Sequence, residues 1–537
     1  MKLSVSLMRR PSRRAVSLLT AAVLSMGGPL GHAQVSLPAL GDSVSQDLDL
    51  GTERRIGDQV MRQIRPDPDF LEDPLLLEYV QSLWAPLVNT AKQLGNIGDE
   101  TNERFAWEIF LVRDRSINAF ALPGGFVGVH LGLIAMTGSS DELASVLSHE
   151  LSHVTQRHIA RRLAGDSRNS MLALAGLVAG LIVASRTGSA DVANAAIVGS
   201  QAAAAAASLS FSRDMEREAD RVGFTVMNQA GYSPAGMYSM FARMEQANHL
   251  MDAGSYPYLR SHPLTTERIG DARLRMGTID YEPPVGHAEH ALMAARAKVL
   301  MDPRAEAWVQ LQNLDAGARE HSSKGKGAGK GEGYEQLAAR YASALASIKM
   351  RDYPRAENAL RSAELTLQLL GNDARAERLL RYLRAELNQA RGRADDGYAA
   401  LKPLAGERSR PLLIQKAQLA KVDTNPASVR EAAEALQTYV SLHPMDPLAW
   451  AELGALWNKL DQPLRAIRAQ GEERAAMGDL NGAIDRFRSG LRMSRGREAD
   501  QVEAAVIDSR LRSLVYERRQ LLAELYPRGA PPGAELP

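Results

Sequence analysis

Apolar residues recur at helical spacing through most of the chain and at strand spacing in one short region. Residues 105–112 (FAWEIFLV) and 125–130 (GFVGVH) have the composition and length of short strands. Residues 141–163 instead place apolar side chains three and four positions apart, as an amphipathic helix does. From residue 334 to about residue 526 only helical periodicity and short turns remain. The pattern predicts a mainly α-helical protein with a small sheet in its first half.

A low-complexity segment separates two predicted folding units. Residues 322–331 (SSKGKGAGKG) contain no apolar side chain larger than alanine, so they cannot contribute to a core. We predict a first domain at residues 34–285, a connecting helix and flexible linker at 286–333, a helical domain at 334–526 and a disordered tail at 527–537. Because a linker of this kind marks a domain boundary, we expect few contacts to cross it and the first domain to fold alone.

The first residues have the composition of a secretory signal. Residues 1–14 carry five basic and no acidic side chains, residues 15–26 are apolar, and residues 31–33 (GHA) suit a signal peptidase. The apolar run is too short to span ~30 Å of hydrocarbon, so we predict a signal peptide, residues 1–33, that is cleaved after Ala33. Cleavage leaves 59 basic side chains of the 64, against 63 acidic ones, a net charge of −4. The chain has no cysteine, which suits an oxidising compartment, and we predict the bacterial periplasm.

Composition and charge exclude several classes of protein. The 537 residues are 45% hydrophobic, which excludes a disordered chain, and the full sequence has a formal charge of only +1. Such a chain has no global positive field, so we expect no nucleic-acid partner. Residues 171–184 form an apolar run that would rise only ~21 Å as a helix, less than a bilayer. We expect this run to pack against the domain or to form a mobile lid or a membrane-facing flap, with at most peripheral membrane contact.

A predicted helix that begins near Ser139 carries the clearest chemical motif, His149-Glu150-Leu-Ser-His153. Four residues make about one helical turn, so both imidazoles face the same way and can chelate one zinc ion. Glu150 lies beside them and can take a proton from zinc-bound water. On a continuous helix His158 points away from the face that bears His149 and His153.

A second predicted helix supplies candidates for the remaining zinc chemistry. Gln156 and Ile159 occupy the positions where a metzincin has glycine and histidine, which excludes that class. Glu216 and Asp220 are four residues apart and share a helix face. Glu216 can therefore bind zinc while Asp220 holds the far nitrogen of a zinc-bound imidazole, and Glu218 points elsewhere. The alternative is that these acids pair with neighbouring arginines on a solvated helix.

Together these motifs resemble the HtpX-like zinc metallopeptidases over roughly residues 48–275. The resemblance rests on the zinc motif, on Glu216-x-x-Ala219-Asp220, on residues 118–125 (NAFALPGG) and on Ser261-His262-Pro263. It implies a gluzincin-type domain of helices with a small β-sheet. It also implies one zinc ion per chain, held by His149, His153 and Glu216, with Glu150 as the general base.

Within this family, the sequence is most similar to periplasmic members. Like them, it has a predicted signal peptide in place of transmembrane helices and a predicted C-terminal repeat domain. The resemblance implies an endopeptidase that degrades misfolded or misassembled outer-membrane proteins and supports their assembly, with chaperone-like activity. It implies two kinds of partner, namely unfolded outer-membrane substrates and the β-barrel assembly machinery. The alternative is a periplasmic chaperone or adaptor whose zinc is structural or latent.

The C-terminal half contains repeats. Ala432 and Ala466 are 34 residues apart, and Trp450-x-x-Leu453-Gly454-x-x-Trp457 follows the tetratricopeptide pattern. Residues 478–487 repeat the second half of that pattern, and residues 351–356 mark an earlier copy. We predict about four tetratricopeptide-like repeats, stacked in a solenoid whose concave surface binds other proteins.

Two segments near the zinc helices leave alternatives open. The strand after Pro123-Gly124-Gly125 is either an exposed edge that an extended substrate joins or part of an ordinary hairpin, and His130 at its end is expected to be structural. Pro263 biases His262 towards an extended conformation, so its imidazole can fold back over the zinc. His262 then either fills the open zinc position and keeps the enzyme latent, stabilises the oxyanion, or is a structural loop histidine.

Overall fold

The computed structural model describes residues 48–163, 211–250, 257–277, 287–315, 330–495 and 500–526. The predicted signal peptide, the apolar run at 171–184 and the predicted tail lie outside these residues. Among the described residues no helix is both long and apolar enough to span a membrane.

The first half contains a four-stranded sheet. Its strands are β1 (Phe70–Leu71), β2 (Glu108–Val112), β3 (Ala119–Leu122) and β4 (Phe126–His130). The order is β1-β2-β4-β3, and β4 runs parallel to β2 and antiparallel to β3. All residues of β4 are buried.

Of the two alternatives for the strand after Gly125, the structure shows the hairpin and contradicts the exposed edge. The turn at Pro123-Gly124-Gly125 joins β3 and β4 into a hairpin, and β4 continues into the interior of the sheet beside β2. Gly124 and Gly125 have φ values of 77° and 87°, which favour glycine and make this turn possible. The sheet of the described residues has β1 at one edge and β3 at the other, and the sequence pattern did not predict β3 as an edge.

Helices surround this sheet. They are α1 (Leu50–Ile64), α2 (Pro74–Gln93), α3 (Asp99–Arg104), α4 (Leu131–Met136), α5 (Ser140–Thr155), α6 (His158–Leu163), α7 (Arg213–Gln229), α8 (Ala235–Leu250), α9 (Pro257–Ser261) and α10 (Thr266–Met276). Helix α5 carries the zinc motif and packs against α7, α8, α2 and the edge strand β3. Its apolar stripe is buried as predicted, namely Leu143, Val146, Leu147, Leu151 and Val154.

The helical pattern of residues 141–163 is interrupted once. Helix α5 ends at Thr155, Arg157 has a φ of 52°, and α6 begins at His158. The Arg157 guanidinium donates to Glu53 at 3.1 Å and to the Leu48 carbonyl at 2.5 Å. These contacts hold the reversal, so α6 does not continue the axis of α5.

The C-terminal half is helical throughout its described residues. Two helices lead into it, α11 (Ala288–Leu300) and α12 (Ala305–Gln312). The others are α13 (Lys330–Lys349), α14 (Tyr353–Leu370), α15 (Ala374–Ala390), α16 (Ala394–Leu401), α17 (Arg410–Val422), α18 (Pro426–Leu442), α19 (Pro447–Lys459), α20 (Pro463–Ala476), α21 (Leu480–Met493) and α22 (Gln501–Leu525). From α13 to α22 each helix packs against the next, and α13, α15, α17 and α19 also contact one another in sequence. This is the contact pattern of stacked helix pairs, and it confirms the mainly α prediction.

The expectation that few contacts connect the two halves is wrong. One hydrophobic core contains Leu83 and Leu147 from the first half together with Leu345 and Leu383 from the second. Helix α11 lies between α4 on one side and α13 on the other, which places it inside this core. The helix α13 also begins at Lys330, within the predicted linker. A flexible tether indicates only that its own residues do not pack, and it carries no information about the surfaces on either side of it.

Ion pairs, one buried and two half-buried, reinforce this connection. Arg296 on α11 contacts Asp73 and Glu386, each at 2.8 Å. Arg410 on α17 contacts Glu72 at 2.6 Å. Since Glu72 and Asp73 immediately precede α2, the start of that helix is held by cations from the second half.

Candidate metal centre

Helices α5 and α7 are capped and closely packed, which fixes the positions of the chemically active side chains. The Ser139 hydroxyl accepts a hydrogen bond from the Glu142 amide, and Ser212 does the same for Met215 at the start of α7. Gly223 lies against the backbone of α5. A Cβ atom at this position would come within 3.1 Å of the backbone nitrogen of His149 and 3.0 Å of the Ser148 carbonyl oxygen. The absence of a side chain at this position allows the two helices to approach.

Four buried side chains place ligand atoms within 4.8 Å of one another, namely His149, His153, Glu216 and His262. The Nε2 atoms of His149 and His153 are 3.0 Å apart, and each lies 3.5 Å from a carboxylate oxygen of Glu216. Nδ1 of His262 lies 2.9 Å from Glu216 and 3.3 Å from Nε2 of His149. His262 immediately follows α9, so the structure brings it to the same point as the three predicted ligands.

Glu150 lies beside this cluster and is fully buried. Neither of its carboxylate oxygens has a hydrogen-bond partner, and Oε1 lies 3.6 Å from Nε2 of His262. Burial raises the pKa of Glu150 above that of an ordinary glutamate. A buried carboxylate without a partner is costly, so its presence here calls for a ligand or a reaction.

Asp220 lies behind His149, with its Oδ1 2.9 Å from Nδ1 of the imidazole. A carboxylate only accepts, so His149 donates through Nδ1 and turns its Nε2 atom towards the cluster. Asp220 is held in turn by Arg268, which is buried on α10. Although burial opposes ionisation of Asp220, hydrogen bonds from Arg268 and His149 lower its pKa to about 2.

Sequence analysis did not find Arg268. The sequence indicates its role only weakly, because a single arginine after Ser261-His262-Pro263 resembles the many exposed arginines of this chain. Phe211 and Tyr258 were also missed. The Phe211 ring stacks on His153 with centroids 3.9 Å apart, and the Tyr258 ring stacks on His262 at 4.6 Å. These rings fill the apolar space next to the imidazoles.

The two imidazoles of the zinc motif, His149 and His153, differ in their tendency to take up a proton. Burial disfavours the charged form of each, but hydrogen bonds to Asp220 and Glu216 raise the pKa of His149 to about 9. Burial, together with the neighbouring imidazoles, lowers the pKa of His153 well below its ordinary value. Burial also opposes the ionisation of Glu216, but contact with the imidazoles lowers the pKa of that carboxyl well below its usual range. The cluster is therefore an anionic carboxylate surrounded by imidazoles.

His158 does not lie where the sequence placed it, whereas Glu218 lies outside the four-residue cluster, as expected. His158 was expected to point away from His153, but their Nδ1 atoms are 2.9 Å apart. Glu218 contacts Nε2 of His158 at 3.1 Å. The expectation assumed one continuous helix, on which a residue five positions later is rotated by about 140°. The reversal at Arg157 turns the His158 ring back towards the cluster.

The side chains of this centre suit a zinc ion. Imidazole nitrogens and a carboxylate oxygen are typical zinc donors, and here they converge from three separate segments in a water-poor site. The outward-facing nitrogen of His149 is bonded to a carboxylate, an arrangement that orients metal-binding imidazoles. The unpartnered Glu150 carboxylate adjoins the same point.

Comparison with known proteins agrees with this geometry. The family model for peptidase family M48 matches residues 87–276. The beta-barrel assembly-enhancing protease of Escherichia coli O157:H7 is 30% identical over 456 residues, which cover 84% of this chain and 85% of that protein. Its namesake in Yersinia pestis is 29% identical over 476 residues, 87% of this chain and 90% of the relative. The mitochondrial metalloendopeptidase OMA1 of Saccharomyces cerevisiae is 29% identical over 223 residues, 41% of this chain and 59% of the relative. The resemblance inferred from the motifs is thus confirmed, and the chain belongs to peptidase family M48, a family of metalloproteases.

Proposed function

We propose that this chain is a zinc-dependent endopeptidase of the bacterial periplasm that degrades misfolded or misassembled outer-membrane proteins and supports their assembly. The observation that carries the proposal is the position of Glu150, whose buried carboxylate has no hydrogen-bond partner and adjoins the His149, His153 and Glu216 cluster. A purely structural zinc site has no use for such a carboxylate. The alternative, a chaperone or adaptor with a structural zinc, leaves Glu150 without a role.

The proposed chemistry assigns one role to each side chain of the centre. His149, His153 and Glu216 hold one zinc ion, which when bound supplies the Lewis acidity that activates water and polarises a peptide carbonyl. Glu150 accepts the proton of the attacking water and passes it to the leaving amide nitrogen. Asp220 orients His149.

His262 is proposed to act as a latency ligand. Its Nδ1 atom faces the same point as the other three ligand atoms, so it can complete a closed set of four donors. Displacement of this imidazole by a substrate would open the position needed for water. The Tyr258 ring stacks on His262 while the imidazole faces the cluster, which helps to hold it in this position.

The proposed substrate path uses the edge strand β3. In the described sheet β3 pairs only with β4, and the helix α5 packs against β3. An extended segment of an unfolded protein can therefore add to β3 through main-chain hydrogen bonds and lie beside the metal centre. Recognition through main-chain atoms suits substrates that share little sequence.

The proposed partners of the C-terminal half follow from its stacked helix pairs and from the relatives. Proteins named as beta-barrel assembly-enhancing proteases match this chain across both halves. We propose that α13 to α22 form tetratricopeptide-like repeats that bind outer-membrane substrates and the β-barrel assembly machinery. Such repeats expose extended surfaces suited to protein ligands.

The mature chain and its Glu150→Gln variant test the enzymatic proposal directly. We expect both proteins to contain about one zinc per chain by metal analysis, while casein digestion by the variant falls at least ~100-fold, because an amide cannot accept the proton. Glu103→Gln, on the exposed side of α3, is a matched control that should digest casein normally. Undiminished digestion by Glu150→Gln would overturn the proposed mechanism.

A further inference from the structure

Behind His153 lies a series of hydrogen-bonded side chains that the proposed reaction does not use. His153 and His158 are both fully buried, and their Nδ1 atoms are 2.9 Å apart. On the other side of the His158 ring, Nε2 lies 3.1 Å from a carboxylate oxygen of Glu218. The same oxygen accepts a hydrogen bond from Arg161 at 2.9 Å. The series of hydrogen bonds therefore runs from the cluster to the Glu218 carboxylate, which Arg161 holds in place.

When His153 binds a metal, the protons on His153 and His158 can take only one arrangement. Nε2 of His153 faces the cluster and must offer its lone pair, so the ring proton is on Nδ1. That N–H donates to Nδ1 of His158, which must then carry its own proton on Nε2. Glu218 can only accept, and it receives this proton's hydrogen bond. The carboxylate at the end thus fixes the tautomers of both imidazoles.

The two imidazoles of the zinc motif are supported in parallel ways. His149 donates directly to Asp220, which Arg268 holds. His153 reaches its carboxylate through one additional imidazole. Carboxylate partners of this kind orient metal-binding histidines and strengthen metal binding. We propose that His158 is a positioning residue for His153, with Glu218 as its anchor. This inference rests on the proposed function, because it requires His153 to bind the metal.

The fold explains how a residue five positions beyond His153 comes to support it. The chain reverses at Arg157, where Glu53 and the Leu48 carbonyl hold the guanidinium. His158 then begins α6 with its ring returned to His153. Glu218 belongs to α7, the helix that also carries Glu216. The three segments α5, α6 and α7 are thereby linked through side chains that lie outside the ligand set.

Zinc affinity provides the test, because it is independent of catalysis. The mature full-length chain and its variants are titrated with Zn²⁺ in competition with a chelating dye. His158→Phe keeps the ring volume but removes the acceptor, and we expect it to weaken zinc binding by about 10–100-fold. His158→Gln retains an acceptor for His153 and a donor for Glu218, so we expect it to recover most of the affinity. Glu218→Leu should weaken binding, whereas Glu218→Gln, which keeps an acceptor oxygen, should weaken it less.

A buried histidine outside the centre supplies the matched control. His290 contacts the Tyr79 hydroxyl at 2.6 Å and the Thr137 carbonyl at 3.0 Å, and His290→Phe should leave the zinc affinity unchanged even if the fold is less stable. With Co²⁺ in place of zinc, His158→Phe should also alter the visible absorption of the bound ion, and His290→Phe should not. Thermal unfolding of the metal-free proteins identifies any variant that fails to fold, and the His158→Gln and Glu218 variants then carry the comparison.

Each result decides the question. Wild-type zinc affinity in folded His158→Phe would overturn the inference, as would equal losses in His158→Phe and His158→Gln, since the acceptor would then be irrelevant. Failure of the wild-type chain to bind zinc would overturn the proposed metal function and this inference with it. A wild type that binds zinc without digesting casein would count against the proposed enzyme alone, because the affinity comparison would still hold.

Discussion

Arg268 donates two parallel hydrogen bonds to Asp220, one of 2.6 Å from Nε to Oδ2 and one of 2.8 Å from Nη2 to Oδ1. The remaining nitrogen, Nη1, lies 2.9 Å from Glu216 and donates to the Pro263 carbonyl at 3.0 Å. A single guanidinium therefore joins the two acids of α7 to the segment that follows His262. Its pKa is raised above the ordinary arginine value, since these hydrogen bonds and charges outweigh the burial that disfavours the cation.

Arg268→Lys should weaken zinc binding by about 10-fold or more, even though the charge is kept. A lysine ammonium cannot reproduce the planar fork that holds Asp220 while also reaching Glu216. Zinc competition titration measures the loss. Arg275→Lys is the control, because Arg275 is exposed on the same helix. Equal affinities for the two variants would show that the fork is unnecessary.

His262→Ala should increase basal casein digestion and self-cleavage while zinc remains bound. Removal of the imidazole leaves His149, His153 and Glu216 as ligands and gives water access to the fourth position. Digestion rates and metal content of the same preparation test this expectation. His443→Ala, at an exposed histidine of the C-terminal half, serves as the control. Lower turnover with zinc retained would instead assign His262 to the transition state, and no change would leave it a structural histidine.

Asp73→Asn should destabilise the protein near neutral pH and much less in acid. Burial raises the pKa of Asp73, but the Arg296 charge and its hydrogen bonds outweigh this effect, so the net pKa is below the ordinary value of 3.8. A lowered pKa means that the ionised pair stabilises the fold fully above about pH 4 and loses this contribution as pH falls through the native pKa. The difference in unfolding free energy between wild type and variant should reach about 3 kcal/mol at pH 7 and shrink below pH 4.

Denaturant unfolding at several pH values measures this difference. Asp99→Asn, at an exposed residue of α3, controls for the general loss of a carboxylate. A difference that stays constant from pH 7 to pH 3 would contradict the assigned role of the Asp73 charge.

Deletion of residues 316–537 should leave a first half that is poorly soluble and much less stable than the full chain. The deletion exposes the face of α11 that packs on α13 and leaves Arg296 without Glu386. Size-exclusion chromatography and thermal unfolding of the truncated protein test this expectation. Deletion of residues 527–537 alone is the control. A truncated protein that unfolds cooperatively near the wild-type temperature would show that the shared core contributes little.

The sequence predicted the parts of the centre that depend on local periodicity. His149, Glu150 and His153 lie within about one turn of one helix, and Glu216 and Asp220 lie within about one turn of another. The spacing along the sequence was therefore enough to predict that the residues of each set lie close together. The sequence failed where the chain reverses. A left-handed residue at Arg157 has no reliable sequence signal, and it decides the position of His158. The pairing of β3 with β4, and not the hydrophobic pattern, likewise decides which strand is the edge.

Long-range partners were also beyond the sequence. Arg268, Arg296 and Arg410 look like ordinary members of an arginine-rich chain, and only the tertiary structure shows which carboxylates they meet. The composition of the linker gave no indication that α11 is buried against both halves, with Arg296 among its buried residues. Sequence patterns report the environment of a segment more readily than the identity of its neighbours.

The burial of α11 between the two halves limits how this protein can be rebuilt. Exchange of the repeats for those of another protein would leave Glu72 without Arg410 and Arg296 without Glu386, unless the incoming helices brought the same charges to the same places. Substitutions at the surface shared by the two halves must therefore arise in matched sets on both sides. A chimera joined within residues 316–329 should therefore need residues from α13 onwards that match the α11 surface of the parent supplying the first half.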